Sequence, residues 1–168
     1  MRYQLLNEKS LVFNQADPLE VSEYVNQHVG SHRLRLPRSA AAEAGLRHRK
    51  AGVIDLCRVH YGGSVRVVSE GLADVYHLQI ILRGHCHYEI HRETHHFSSG
   101  EILIINPDDP IDLTYSDDCE KFILKIPASL LDDVCMEHGW FRPREGIKFI
   151  PIRYQLPEIE CLMNLLNM

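Results

Sequence analysis

Turn residues divide the middle of this sequence, from residue 46 to residue 126, into short apolar runs. Gly52, the pair Gly62-Gly63 and Gly84 are among the separators, and a glycine pair is typical of a hairpin turn. The predicted strands are 46–51, 53–61, 65–69, 74–83, 85–92, 95–97, 101–106, 112–115 and 120–126. Short strands at this spacing indicate an antiparallel barrel or a double-sheet roll. We therefore predict a mainly β fold.

Helical signals lie on both sides of the strand region. Asp17 and Pro18 suit the cap and first turn of a helix over residues 18–29, and residues 31–45 lack a regular pattern. Pro127 starts a second predicted helix over 128–137, and Pro157 starts a third over 157–168. The third helix has no stop signal before the last residue, and we therefore expect that the chain was cut from a longer protein. The predicted units are an N-terminal arm and helix (1–45), a barrel (46–126) and a C-terminal helical segment (127–168).

Composition narrows the class of protein. The five cysteines are scattered without a C-x-x-C motif, so we expect free thiols. No run of 18 apolar residues exists, so we expect no membrane span. The N-terminus has no signal core, and we therefore expect a cytoplasmic protein. Residues 1–66 carry ten Lys and Arg against six Asp and Glu, a net of +4, and the rest carries eight against seventeen, a net of −9. A basic half suits an anionic small molecule, although two solvated faces explain the same pattern.

Four polar residues on otherwise apolar strand faces are the candidate ligand-binding set. His77 and Gln79 alternate with apolar residues in strand 74–83, which is typical of a pocket wall, or of a histidine held in the core by hydrogen bonds. Arg58 and His60 follow two apolar residues on one face of strand 53–61. An arginine inside a barrel needs an anion, whereas exposure at a sheet edge is the plainer interpretation.

A histidine-rich strand raises the question of a metal site. His85, His87, Glu89 and His91 alternate along one strand and therefore share one face. Three such groups suffice for zinc or iron. The opposite face, formed by Cys86, Tyr88 and Ile90, is the apolar one and should face the core, so we interpret the histidines as a solvated face. No nucleophile, phosphate-loop or dinucleotide motif is present, and we expect neither an enzyme nor a cofactor.

Four segments together resemble a known family. They are 62–67, 76–84, 99–110 and 118–127, preceded by the run 32–36, and their order and spacing are similar to the N-terminal domain of AraC/XylS-type transcription regulators, in the subgroup with an AraC-binding-like domain. The resemblance implies a cupin-like barrel (a double-stranded β-helix) that binds a small effector, followed by helices that pair two subunits. It also implies a DNA-binding module with two helix-turn-helix motifs, which this chain lacks.

The same resemblance speaks against a catalytic metal. Aligning Gly84 and the turn at 107–110 with the metal-binding pattern of cupin enzymes puts Gly71, Ala73, His77 and Ile111 at the ligand positions. Three of these four cannot bind a metal. The leading hypothesis is therefore an effector-sensing, dimerising domain; the alternatives are a metal-dependent cupin enzyme and an interaction domain whose barrel is filled by its own side chains.

Two apolar helical stripes are the predicted dimer interface. Residues at helical spacing make up each stripe, and one small barrel cannot cover both well. The interface residues are Leu130 and Val134 in the first stripe and Ile159, Leu162, Met163 and Leu166 in the second. A two-fold homodimer covers both stripes, whereas docking of both helices on their own barrel is the alternative.

Overall fold

Twelve strands and three helices make up the computed structural model, which describes residues 4–37, 40–150 and 154–167. The elements are β1 (Leu11–Ala16), α1 (Pro18–His28), β2 (Arg33–Arg35), β3 (Ala44–Ala51), β4 (Ile54–His60), β5 (Val65–Ser69), β6 (Val75–Arg83), β7 (His85–Ile90), β8 (Glu93–Ser98), β9 (Glu101–Ile105), β10 (Ile111–Tyr115), β11 (Glu120–Pro127), α2 (Ala128–His138), β12 (Tyr154–Gln155) and α3 (Glu160–Leu166). The predicted mainly β class with flanking helices is confirmed.

The strands form two antiparallel sheets that pack face to face. The larger sheet has the order β1-β3-β4-β11-β6-β9-β12, and the smaller has the order β2-β5-β10-β7-β8. One buried apolar cluster contains side chains from both sheets and from α1, for example Val59 and Ile81 from the larger sheet, Leu113 from the smaller and Val25 from the helix. The cupin-like prediction is therefore confirmed in its double-sheet form, with the core between the sheets.

The three central strands of the larger sheet, β4, β11 and β6, are covered on both faces. Side chains alternate between the faces of a strand, so Ile81 and Ile123 point between the sheets while Ile80 and Phe122 point outward. A second buried cluster covers the outward face and includes Leu5 from the N-terminal segment and Met163 from α3. Both ends of the described chain therefore pack on the outer side of this sheet.

The N-terminal region contributes more to the sheets than its sequence indicates. β1 pairs with β3 at one edge of the larger sheet, and β2 pairs with β5 at one edge of the smaller sheet. The predicted boundary between residues 45 and 46 falls inside β3, which begins at Ala44. β1 is mostly exposed and β2 has three residues, so neither shows the alternation that marks a half-buried strand.

The C-terminal helix packs on its own chain. A 3-10 turn over Leu156–Ile159 precedes α3, and Met163 has no exposed surface because it lies in the outer cluster with Leu5. Ile159 and Leu166 pack against the same cluster. Met163 is therefore fully covered by its own chain, whereas Ile159 and Leu166 pack on the same apolar face and keep part of their surface exposed. Leu162, Leu130 and Val134 keep part of their surface exposed, and the last predicted position, Met168, lies outside the described residues.

No helix in the described part of the chain is long and apolar enough to cross a membrane.

Candidate functional site

A small cavity lies between the two sheets where the end of α1 covers them. Its volume is about 30 Å³, which is the space of one water molecule. Residues from α1 and the loop after it form one wall, strands of both sheets form the others, and Tyr61 and Leu72 from loops between strands complete the lining. The lining residues are Val25, Gly30, Ser31, His32, Val59, Tyr61, Val67, Leu72, His77, Gln79, Ile111, Leu113, Tyr115 and Ile123. Most of the lining is apolar, and a few polar groups are placed within it.

A buried lysine lies next to this cavity. Lys121, on the inward face of β11, has no exposed surface. Its Nζ donates a hydrogen bond to Gln79 Oε1 at 2.8 Å and lies 4.1 Å from the centre of the Tyr115 ring. Both of these partners line the cavity, so the ammonium is separated from the open space by one amide and one ring.

The charge of Lys121 has no anionic partner among the described residues. None of the ion pairs found there includes this lysine. Burial raises the pKa of Tyr61 and Tyr115 well above the usual range and raises the pKa of Cys119 to about 12, so the nearby phenols and this thiol stay neutral. A neutral amide and the face of an aromatic ring only partly replace the hydration that a buried ammonium loses. Among the described residues, Lys121 therefore has an amide and an aromatic ring as partners and no carboxylate.

A chain of hydrogen bonds connects this lysine to the end of α1. Gln79 Nε2 lies 3.3 Å from His77 Nδ1, and His77 Nε2 lies 2.9 Å from the carbonyl oxygen of Val29. Since a carbonyl only accepts, Nε2 carries the proton, Nδ1 accepts from the Gln79 amide, and Oε1 remains to accept from Lys121. Burial lowers the pKa of His77 to about 4, which keeps the imidazole neutral as this arrangement requires.

The four predicted ligand-binding residues lie on two different faces. His77 and Gln79 line the cavity, whereas Arg58 and His60 project from the outward face of the same sheet. Arg58 donates to Glu120 Oε1 at 2.6 Å and to the carbonyl of Leu5 at 3.2 Å, so its charge is already paired. Of the four candidate residues, Arg58 and His60 therefore lie outside this cavity, because the inward residues of β4 are the alternate ones, Cys57 and Val59.

Comparison with known families identifies this arrangement. A family model described as the AraC-binding-like domain matches residues 21–145, which include most of α1, all strands from β2 to β11 and the whole of α2. The chain belongs to the AraC-binding-like family. The resemblance to AraC/XylS-type regulators on which the sequence interpretation relied is thereby confirmed.

Named relatives of this AraC-binding-like domain are transcription activators. The XylDLEGF operon transcriptional activator 1 of Pseudomonas putida is 53% identical over the whole of this chain, and the XylDLEGF operon transcriptional activator 3 of the same organism is 55% identical. The chain spans about half the length of these relatives, 52% and 50% respectively. Among solved structures, the AraC-like transcriptional activator CuxR has the same fold, with a TM-score of 0.53 at 16% identity over 63% of this chain and 42% of that one.

The sequence interpretation of this AraC-binding-like domain did not identify Lys121. A lysine in a strand is normally an exposed residue. A usable signal was the run 120–126, in which both alternate faces carry large apolar residues, as in a strand covered on both sides. A lysine within such a strand has no solvated face to occupy and therefore points to a buried charge.

The histidine-rich face lies away from the cavity. His85, Glu89 and His91 are exposed, while Cys86, Tyr88 and Ile90 on the alternate positions are buried, as the alternation predicted. The rings of His87 and His96 pack across neighbouring strands with their centres 4.3 Å apart. Within residues 4–37, 40–150 and 154–167, no three metal-binding side chains are arranged to hold an ion.

Proposed function

We propose that this domain senses a small organic anion for a transcription activator that binds DNA through segments outside this chain. Its family and the names of its relatives support the regulatory role. The effector class follows from Lys121, because its buried ammonium donates to a neutral amide and an anion in the same place would neutralise its charge. We propose a cytoplasmic, non-enzymatic role, because the named relatives are transcription activators and act where DNA is accessible.

The lining of the cavity defines the rest of the effector. Apart from the polar groups of Ser31, His32, His77 and Gln79, the lining is aliphatic and aromatic, with Val59, Leu113 and Ile123 among its residues. A carboxylate with an apolar body satisfies both features, since its head reaches the ammonium and its body contacts the walls. Its oxygen takes the position of Gln79 Oε1 as the acceptor of the Lys121 hydrogen bond. A charge-assisted hydrogen bond is stronger than the neutral one it replaces.

Isothermal titration calorimetry with benzoate tests this proposal, with benzamide as the neutral analogue of the same shape. We expect benzoate to bind and benzamide to bind at least about tenfold more weakly, because only the carboxylate neutralises the ammonium. Cyclohexanecarboxylate serves as a second probe that keeps the charge and lacks the aromatic ring.

Two lysine variants complete the experiment. Lys121→Met keeps the length of the side chain and removes its charge, so benzoate affinity should fall at least about tenfold. Lys50→Met changes an exposed lysine on β3 and should leave the affinity unchanged. Equal binding of benzoate and benzamide, or equal benzoate affinity in wild type and Lys121→Met, contradicts the proposed effector class.

We also propose that two copies of this domain pair through the surface that contains α2. Leu130 and Val134 are half-buried, and Met136, Trp140 and Phe141 at and after the end of the helix are exposed. Exposed apolar groups at this density are typical of a partner surface, and a two-fold arrangement places the same surface on both chains. Leu162 of α3 remains part of the proposed interface, whereas Ile159, Met163 and Leu166 already contact their own sheet.

A further inference from the structure

The cavity is too small for the effector that its chemistry favours, so one of its walls must move. Its volume of about 30 Å³ admits one water, whereas a cavity of roughly 150 Å³ is needed for benzene. The strand walls are fixed by ladder hydrogen bonds on both sides. Tyr61 and Leu72 line the cavity from loops between strands, and a backbone hydrogen bond to Pro107 holds Leu72 in place. The last wall is the end of α1 with the loop after it, which contributes Val25, Gly30 and His32.

Two hydrogen bonds from the larger sheet hold this end of the helix. His77 on β6 donates to the carbonyl of Val29 at 2.9 Å, and Lys125 on β11 donates to the carbonyl of His28 at 3.1 Å. Free carbonyls at a helix C-terminus favour such donors, because they lack partners within the helix. The first of these bonds is the last step of the chain that starts at Lys121.

We infer that helix α1 is the movable wall of the cavity and that the chain Lys121–Gln79–His77–Val29 is a latch, which an anion on Lys121 releases. This inference rests on the proposed function, since it describes how the same site is regulated. In the unliganded state, the Lys121 ammonium holds Gln79 Oε1, so the Gln79 amide nitrogen faces His77 Nδ1 and donates to it. His77 therefore carries its proton on Nε2 and donates it to the Val29 carbonyl.

An anion that takes the Lys121 hydrogen bond removes the constraint on Gln79. The amide is then free to turn its oxygen toward His77, and Nδ1 becomes the protonated nitrogen of the imidazole. In that tautomer Nε2 accepts, so the Val29 carbonyl loses its donor, and the Lys125–His28 hydrogen bond is the one of the two that remains at the end of α1. Binding of an anion in the cavity thereby allows α1 to move.

Gly30 shows how closely this wall fits when it is closed. A Cβ at position 30 would lie 2.7 Å from His77 Cε1 and 2.9 Å from Leu72 Cδ2, which is closer than real side chains approach. Gly30→Ala should therefore hold the wall away from His77 without a ligand. Gly63→Ala is the matched control, because a Cβ at position 63 has no atom within 4 Å.

Hydrogen exchange of the unliganded protein at pH 8 tests the latch without any effector. We expect amides of residues 25–32 to exchange at least about tenfold faster in Gly30→Ala than in wild type, and Gly63→Ala to match wild type. Gln79→Glu places a carboxylate on Lys121 and mimics the bound anion, so the same amides should exchange faster. Wild-type exchange in both Gly30→Ala and Gln79→Glu overturns the latch.

The nitrogen-15 chemical shifts of the His77 ring give a second readout that a merely structural histidine would not change. We expect the Nε2-protonated tautomer in the unliganded wild type and the Nδ1-protonated tautomer with saturating benzoate and in Gln79→Glu. An unchanged tautomer with benzoate bound overturns the coupling while leaving the proposed effector class intact. If benzoate does not bind, both the proposed effector class and the coupling are wrong. Hydrogen exchange of unliganded Gly30→Ala still shows whether the end of α1 is held by the latch.

Discussion

Single residues set the chemistry of the cavity through their position on a strand. Lys121 and Phe122 are neighbours in β11, yet the lysine faces the space between the sheets and the phenylalanine faces the outer cluster. The same alternation separates His77 and Gln79 from Arg58 and His60. The face on which a polar residue lies determines its contacts, because one face of the larger sheet packs on the smaller sheet and the other packs on the outer cluster.

His77 should make the stability of the fold depend on pH. Its pKa falls from 6.5 in the unfolded chain to about 4 in the folded one, so the unfolded state binds more protons between these values. The stabilisation is complete above about pH 6.5 and is lost as the pH falls toward 4, by about 3 kcal/mol in total. Burial also lowers the pKa of His32 and His60, which adds to the same trend.

Urea unfolding at a series of pH values measures this dependence. His77→Leu should show a smaller loss of unfolding free energy between pH 6.5 and pH 4 than wild type, because the leucine has no proton to gain. The remaining slope belongs to the other histidines and to the carboxylates. Identical slopes for wild type and His77→Leu would show that His77 is not buried in its neutral form.

Elements differed in how well the sequence predicted them. α1 and its cap are confirmed, because Asp17 and Pro18 are local signals that tertiary contacts do not override. The nine strands between residues 44 and 127 are confirmed within a few residues, since turn glycines and apolar alternation are local as well. β1, β2 and β12 were missed, because short or exposed edge strands form through their pairing partners rather than through their own pattern.

The cap of α1 should contribute measurably to stability. The side chain of Asp17 accepts a hydrogen bond from the backbone N–H of Leu19 at 2.8 Å, which satisfies one of the free donors at the start of the helix. Asp17→Ala should lower the free energy of unfolding by about 1 kcal/mol, measured by urea denaturation. Asp17→Asn keeps the acceptor and should recover most of the loss, whereas an equal loss in both variants would show that the cap is not the cause.

The candidate site was only half predictable for a related reason. His77 and Gln79 could be found because their own strand shows polar residues on a covered face. The burial of Lys121 follows from the central place of β11 between β4 and β6, and its one local sign is that both alternate faces of run 120–126 carry large apolar residues. The cover of the outer face by Leu5 and Met163 joins two ends of the sequence, and no local pattern encodes that contact.

The whole molecule is proposed to form a homodimer through the α2 surface. Phe141 is 89% exposed, and Phe141→Asp places a charge there without disturbing the core. Sedimentation velocity over a concentration series should show a monomer–dimer equilibrium for wild type and a dissociation constant at least about tenfold higher for Phe141→Asp. Val53→Asp changes another exposed apolar residue, 58% exposed and located before β4, and should sediment like wild type. A wild type that is monomeric at every concentration rules out this dimer.

The proposed effector site and the latch both depend on an anion beside Lys121, and a crystal structure of this domain grown with benzoate measures its position directly. We predict a carboxylate oxygen at about 2.8 Å from Lys121 Nζ, in place of Gln79 Oε1, with the ring between Val59, Leu113 and Ile123. Benzoate bound instead at Arg58 and His60 on the outer face, or a cavity that contains benzoate while the Lys121–Gln79 hydrogen bond stays intact, would contradict it.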